Sequence, residues 1–414
     1  MTDIISHPTS GLPGQHISPA IASYVAETRP TRLDFHKPVL KVLGLGGGGT
    51  NAINRMIELG LGGVEFIAAN SDYQALKNCL APVKIQLGPK TTRGLGAGGN
   101  PAVGQAAAEE SWRQISNALE GADMVFLTAG MGGGTGTGSI PIAAKIARSV
   151  GAVTIAIVTM PFTFEVGRRW RNANEGIARL RPNTDTLISI PNDRLLYVAP
   201  KNLPLDVAFR LADDVLRQSV QGITELITRP GLINVDFANI RHLMKLGGGA
   251  LMSIGQGEGE NKALIAIDQA INHPLLDNTS LDNAAGILIN FTSGEDLSLI
   301  EIEAAVNYLQ QKAGSQVEIV LGVIHDERLY DRVEVILVVT GLGAPTLEDT
   351  MSNFAHLPIN SELDQTIDQP DQHALSDIVD HQHTTEQEVP VQAVYMQPSD
   401  PHNLDLPAFL RRTR

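Results

Sequence analysis

The chain runs to 414 residues, 43 % of them hydrophobic and 4 % aromatic, with 40 glycines and a formal net charge of −14. This composition predicts a soluble α/β protein of two domains with an aliphatic core and many tight turns, and it argues against a nucleic-acid surface. The single cysteine, Cys79, excludes an internal disulfide, and no apolar stretch reaches the roughly 18 to 20 residues that span a bilayer, so a reducing, cytoplasmic setting without direct membrane insertion is expected.

Residues 1–37 scatter Pro, Ser, Thr and His with weak periodicity and begin with no basic patch and apolar run, which predicts a disordered extension without a targeting segment. Order begins at Pro38. Val39–Leu43 is a strand that runs into Gly44–Asn51, with Gly46, Gly47, Gly48 and Gly49 in a row, and a helix is expected over Ala52–Leu59. Gly44, Gly46 and Gly49 satisfy G-x-G-x-x-G, and the next strand, Val64–Ala69, leads to Asn70 and Asp72, an acid placed where a ribose would want one. Two readings stand at this point. The segment is either the fingerprint of an NAD(P)-dependent enzyme or one half of a phosphate grip that Asn51 and Arg55 could reach from the helix. Arg55 suits a solvated surface equally well.

Thr91–Pro101 is a second glycine-rich stretch, including Gly98, and ends in a helix start with Asn100 as N-cap and Pro101 at the first helical position. It reads as a capped connection or as a lid over a phosphate. The apolar strand Ala122–Thr128 then enters a loop with six glycines in the eleven residues 129–139, followed by a helical pattern over Ile140–Val150. Strand, glycine loop and helix in that order make an anion site, because glycines let the backbone approach closely and helix-start amides point outward. The loop supplies Gly132, Gly133, Gly134, Thr135, Gly136 and Thr137, and it lacks the Gly-Lys-Ser/Thr ending of a P-loop. Two such loops on neighbouring strands would converge at the carboxyl edge of one sheet and grip a di- or triphosphate from both sides.

Ala152–Thr159 is a continuous apolar strand, as a parallel sheet covered on both faces requires. Glu165, Arg168 and Arg169 follow in a loop, and the strand Thr186–Ile190 ends at Asn192. Leu205–Arg229 is the longest helical pattern, with Val207, Leu211, Val215, Leu216, Val220, Ile223 and Leu226 on one face and Pro230-Gly231 as its stop. Asp213 and Asp214 on it could be a solvated pair.

GGGTGTGS without a lysine, GLGAGGNP and PNDRL together resemble the signature of the tubulin/FtsZ superfamily of GTPases, in its bacterial form. The resemblance covers about residues 38–343 and returns at 404–414. It implies a Rossmann-like α/β domain that binds GTP/GDP with Mg²⁺ on a mostly parallel sheet (38–204), a long central helix (205–230) and a second, smaller, GTPase-activating α/β domain (231–343). It assigns Glu165 to the ribose, Arg169 to the nucleotide, and Asn192, Phe209 and Asp213 to the guanine. Val166-Gly167 stands where the family has glycine directly after the acid.

Asn234, Asp236 and Asn239 match the family's hydrolysis loop just past the long helix. From Asp213 to Pro230 a helix rises about 25 Å at about 1.5 Å per residue, so Asp236 cannot reach the nucleotide of its own chain. If it acts on a nucleotide, as the resemblance implies, that nucleotide belongs to a neighbour. A head-to-tail contact of this kind generates a filament when its rotation does not close. The family commonly carries a second aspartate at the position of Asn239, and an asparagine can take no proton and supply no charge.

Between 247 and 343 helices (263–271, 299–311) alternate with strands (286–291, 317–324, 333–340), without a nucleophile or metal-ligand constellation. Residues 344–403 carry eleven acids and no Lys or Arg, which predicts a flexible linker spanning about 45 Å root-mean-square. His381 and His383 in it could bind a metal or be solvated. Leu404–Arg414 resembles the family's tail for membrane-adaptor and regulatory division proteins, with Phe409 and Leu410 as anchors and the arginines steering. The resemblance thus implies a head-to-tail homopolymer at the mid-cell division site.

Overall fold

The computed structural model describes residues 37–342, apart from 166, 199–203, 247–248, 275, 277–280, 282–283 and 315–316. The extension before Lys37, the acidic linker with His381 and His383, and the Leu404–Arg414 peptide lie outside these residues, as does Val166.

The first half builds six strands: β1 (Leu40–Leu45), β2 (Glu65–Asn70), β3 (Val83–Gln86), β4 (Met124–Gly130), β5 (Val153–Met160) and β6 (Thr186–Pro191). All five pairings among them are parallel, in the order β3-β2-β1-β4-β5-β6. β5 is buried at every residue, because helices cover both faces of the sheet. Those helices are α1 (Gly46–Glu58), α2 (Tyr73–Asn78), α3 (Pro101–Glu110), α4 (Trp112–Leu119), α5 (Thr135–Ser149), α6 (Arg168–Leu180) and α7 (Asn192–Val198).

The glycine run expected to be loop is already helix, since α1 starts at Gly46 rather than at Ala52. α5 likewise starts at Thr135, inside the second run. Glycine is a poor helix former on propensity alone, and tertiary packing overrides that here.

The long helix α8 spans Leu205–Thr228. Its expected apolar face is buried at Leu211, Val215, Leu216, Val220, Ile223 and Leu226, while Val207 is half-buried. These side chains join one core with Ile53 and Met56 of α1, Ile155 and Ile157 of β5, and Leu288, Val320 and Val338 from the second half. At about 1.5 to 3 kcal/mol for each fully buried aliphatic side chain, α8 is the spine between the halves.

After it come α9 (Phe237–Lys245), β7 (Gly249–Glu258), α10 (Lys262–Ile271), β8 (Gly286–Ser293), α11 (Leu299–Ala313), β9 (Glu318–His325) and β10 (Arg332–Leu342). β10 lies antiparallel between β7 and β8, and β9 runs parallel to β8. Two residue pairs, Leu187–Gly249 and Ile188–Ala250, join β6 to β7, so the ten strands form one continuous sheet. β7 has no counterpart in the sequence pattern. Its Gly255 and Gly257 lie beneath the backbone of α10, where an added Cβ would stand 1.9 Å from the Ala266 and Lys262 carbonyl oxygens.

Candidate functional site

β1 and β4 are neighbours, and the chain's direction across the sheet reverses between them. In an open parallel sheet the crevice at the carboxyl ends beside such a reversal is where ligands bind. Both strands end there in a glycine segment. A Cβ on Gly46 (φ +68°) would stand 2.6 Å from the Gly136 amide nitrogen, and one on Gly48 would stand 2.9 Å from that of Gly130. Only glycines let the two segments meet backbone on backbone. The third segment joins them, since a Cβ on Gly134 would lie 2.7 Å from the Asn100 amide. Gly47, Gly98 and Gly133 border open space, and Gly49 packs on the Thr128 carbonyl.

Of the four helix starts that follow these strands and glycine segments, two are capped by a side chain and two are not. α2 is capped by Asp72, whose carboxylate accepts from the Gln74 and Ala75 amides, and α3 by Asn100, which accepts from Ala102. The N-termini of α1 and α5 have no side-chain cap. Their first-turn amides lack intrahelical acceptors and carry the positive end of the helix dipole, which suits a phosphate chain.

The hydroxyls shape this cradle. Ser71 and Thr135 share a hydrogen bond of 2.6 Å, and Thr137 accepts from the Gly132 amide at 2.9 Å. Asn70 is buried, and its Oδ1 accepts from the Asp72 amide. Asn51 is exposed on α1.

Beside the cradle, a cleft of about 490 Å³ is lined by Phe164, Glu165, Arg168, Arg169 and Phe209. Arg169 is ion-paired with Glu165, which also accepts from the Phe162 amide. Phe162 stacks on Phe164 and meets the edge of Phe209, with ring centroids 5.0 and 5.6 Å apart. Asn192, the first residue of α7, is buried with no hydrogen-bond partner for Oδ1. Arg55 Nε is buried and unpartnered as well.

The two acids on α8 separate. Asp214 is buried and bonded to Arg217 at 2.7 Å and Gln218 at 2.9 Å. Burial pushes the half-buried Asp213 carboxyl up to about 7, opposed by the Arg55 guanidinium and reinforced by Asp214. Neither acid is part of a solvated pair.

Uncapped amides suit phosphates, while the phenylalanines, Asn192 and Asp213 offer a stacking surface and acceptors to a base. Asn234, Asp236 and Asn239 are not brought to this place. They lie past the far end of α8, all exposed. Asn234 accepts from the Gly231 amide, and Asp236 caps α9 through the Ala238 amide, so the expected loop is the first turn of a helix that contains Asn239.

Sequence reasoning missed three residues. Ser71 sits between two residues it had singled out. Asp193 accepts from the Thr163 amide and hydroxyl, fixing the 160–165 loop, and its signal was its place beside Asn192. Asn172 donates to the carbonyls of Gly99 and Gly132, and nothing in the sequence marks it.

Residues 39–200 match the tubulin/FtsZ family GTPase domain, and residues 248–343 match the FtsZ family C-terminal domain. The empty FtsZ dimer of M. jannaschii is similar to this chain with 43 % identity and a TM-score of 0.72, over 80 % of this chain and 94 % of that one. CetZ1 of Haloferax volcanii, a GDP-bound monomer, shares the fold at 18 % identity and a TM-score of 0.67, over 77 % and 99 % of the two chains. CetZ2 of the same organism, a GTPγS-bound protofilament, shares it at 18 % identity and a TM-score of 0.65, over 76 % and 97 %.

Proposed function

This chain belongs to the tubulin/FtsZ family of GTPases, and on that premise we propose that it is a GTP-dependent, filament-forming cytoskeletal protein of the bacterial division ring. The observation that carries the reading is the pair of uncapped helix starts, α1 and α5, meeting through glycines at the reversal point of the sheet, with Asp236 beyond the opposite end of a 24-residue helix. Family membership removes the dinucleotide reading of Gly44, Gly46 and Gly49.

In this reading the amides of Gly46–Gly49 and Gly132–Gly136 hold the phosphates, and Gly98 and its loop close over the terminal one. Glu165 and Arg169 take the ribose side, and Asn192, Phe209 and Asp213 take the guanine. Mg²⁺ supplies charge neutralisation on the phosphates. Among the described residues no group of three or more His, Cys, Asp or Glu could hold a metal ion; a bound Mg²⁺ would be held largely by the nucleotide's phosphate oxygens and water.

Hydrolysis belongs to a head-to-tail pair of subunits. Asp213 and the last residue of α8, Thr228, are about 22 Å apart along a helix rising about 1.5 Å per residue, so the nucleotide that meets Asp236 is a neighbour's. Asp236 orients the attacking water, and Asn239 holds it without taking a proton. Base assistance is worth about 10² to 10⁴ in rate, and its partial loss makes turnover slow and filaments long-lived.

We divide the chain as a nucleotide domain over 38–204, a connecting helix over 205–230 and an activating domain over 231–343. The linker 344–403 and the Leu404–Arg414 peptide then tie the polymer to membrane-adaptor and regulatory proteins at mid-cell. No helix among the described residues is long and apolar enough to cross a membrane.

Sedimentation with phosphate release, GTP against GDP, tests the reading. Assembly and phosphate release with GTP alone support it, and neither with GTP overturns it. Asn239 favours one second reading, a structural paralogue, which would assemble with GTP and release no phosphate.

A further inference from the structure

Asn172 lies one turn into α6, just past Arg168 and Arg169, and is half-buried. Its position is set by close packing of α6. Gly176, one turn further on, approaches α5 so tightly that a Cβ would stand 2.5 Å from Thr137 Cγ2 and 2.6 Å from Met131 Cε. Gly132 (φ +95°) sits under the start of the same helix, where a Cβ would be 2.9 Å from the Arg169 carbonyl. This contact places the Asn172 side chain between two phosphate segments.

Its amide nitrogen lies 3.2 Å from the carbonyl of Gly99 and 3.2 Å from that of Gly132. A primary amide has two hydrogens, one for each acceptor, and the opposite amide orientation would face an oxygen against two oxygens. The Asn172 side chain therefore bridges the third glycine segment and the signature loop. The turn is closed by the Asn100 amide on the Ala97 carbonyl at 3.0 Å, and the bridge holds its outer residues. Gly98 and Gly99 both have positive φ, at +57° and +70°, and a Cβ on either would meet no heavy atom within 4 Å. A second α6 side chain, Arg179, reaches Gln105 of α3 at 3.4 Å, so α6 spans both parts of this segment.

We propose that Asn172 is a positioning residue that holds the Gly98–Gly99 backbone over the terminal phosphate, and that it sets the preference for a nucleoside triphosphate over the diphosphate. The inference rests on the proposed GTP reading of the site. The diphosphate is held by the α1 and α5 starts, which Asn172 does not order through Gly99. Loss of the bridge also removes a bond to the Gly132 carbonyl, but Gly132 keeps its amide bond to the Thr137 hydroxyl at 2.9 Å, so the lid is freed more than the signature loop.

The test is the dissociation constant of GTPγS and of GDP for the full chain, measured below the concentration of assembly, for the parent, Asn172→Ala and Asn172→Asp. Loss of two ordinary hydrogen bonds predicts a fall in GTPγS affinity of about tenfold in Asn172→Ala, with GDP affinity kept within about twofold. Asn172→Asp keeps the shape, removes the donors and sets a charge against two carbonyls, so its GTPγS affinity falls further. Retained GDP affinity also shows that each variant is folded.

An equal fall for both nucleotides, or an unchanged ratio in both variants, overturns the proposal and leaves the GTP reading standing. A parent protein that binds neither nucleotide overturns both.

Discussion

Asp213 on α8 and Arg55 on α1 interact electrostatically, and burial outweighs the guanidinium's pull, leaving the carboxyl titrating at about 7. Two pH dependences of opposite sign follow. The folded, nucleotide-free protein holds this proton more tightly than the unfolded chain, whose carboxyl titrates in the ordinary range. The stability from Asp213 is therefore fully present below that range and is lost as pH rises through about 7. The Tm of the nucleotide-free protein falls between about pH 4 and 7 relative to Asp213→Asn, which is the more stable by a few degrees at pH 8. GTP affinity runs the other way, because the ionised carboxylate is the acceptor that a guanine edge requires, so it weakens as pH drops below about 7. Calorimetric titration and thermal scans across this window measure both, and Asp213→Asn flattens both profiles.

Gly46 tests the cradle. A methyl group there meets the Gly136 backbone at 2.6 Å on a residue with φ +68°, and backbone cannot rotate away as a flexible side chain can. Gly46→Ala loses nucleotide binding by at least about a hundredfold and is destabilised by about 1 to 3 kcal/mol. Gly47→Ala, whose Cβ meets nothing within 4 Å, leaves stability nearly unchanged.

Asp236 and Asn239 separate binding from hydrolysis. Asp236→Ala lowers GTP turnover by about a hundredfold or more while the monomer's GTP affinity stays the same within about twofold. Asn239→Asp raises turnover by about tenfold and shortens filament lifetime. Phosphate release and light scattering read both, and an Asn239→Asp protein no faster than the parent would remove Asn239 as the cause of slow hydrolysis.

Gly255 tests the independence of the two halves. A side chain there strikes the Ala266 carbonyl at 1.9 Å, so Gly255→Val pushes α10 off β7. We expect a loss of about 3 kcal/mol or more in stability and loss of assembly, with GTP binding kept at temperatures where the chain remains folded. Fluorescent-nucleotide binding beside a sedimentation assay reads the two effects separately.

Much of the candidate site was legible before any coordinates, because its parts are local. Glycine runs after β1 and β4, and the cap at Asn100, are written in neighbouring residues, whereas Asp72, read as an acid for a ribose, caps α2. Asn172 was not legible, since its two acceptors lie 73 and 40 residues away and any half-exposed helical asparagine looks the same in a sequence. Asp213 and Asp214 were equally ambiguous, because adjacent helical residues point in different directions and only the packing shows which meets Arg217 and which meets Arg55.

By itself the sequence determined which segments become strands and helices where an apolar run is unbroken, as at β5, or one period is sustained, as at α8, and it carried the glycine signature of the family. Tertiary structure alone decided that α1 and α5 begin inside their glycine runs, that β7 exists beneath α10, and that the β6–β7 pairing joins two sheets into one. The physical reason is the same in each case. Glycine contributes no side-chain pattern to read, and its value lies in how closely another backbone can approach it, which depends on residues far away in the chain.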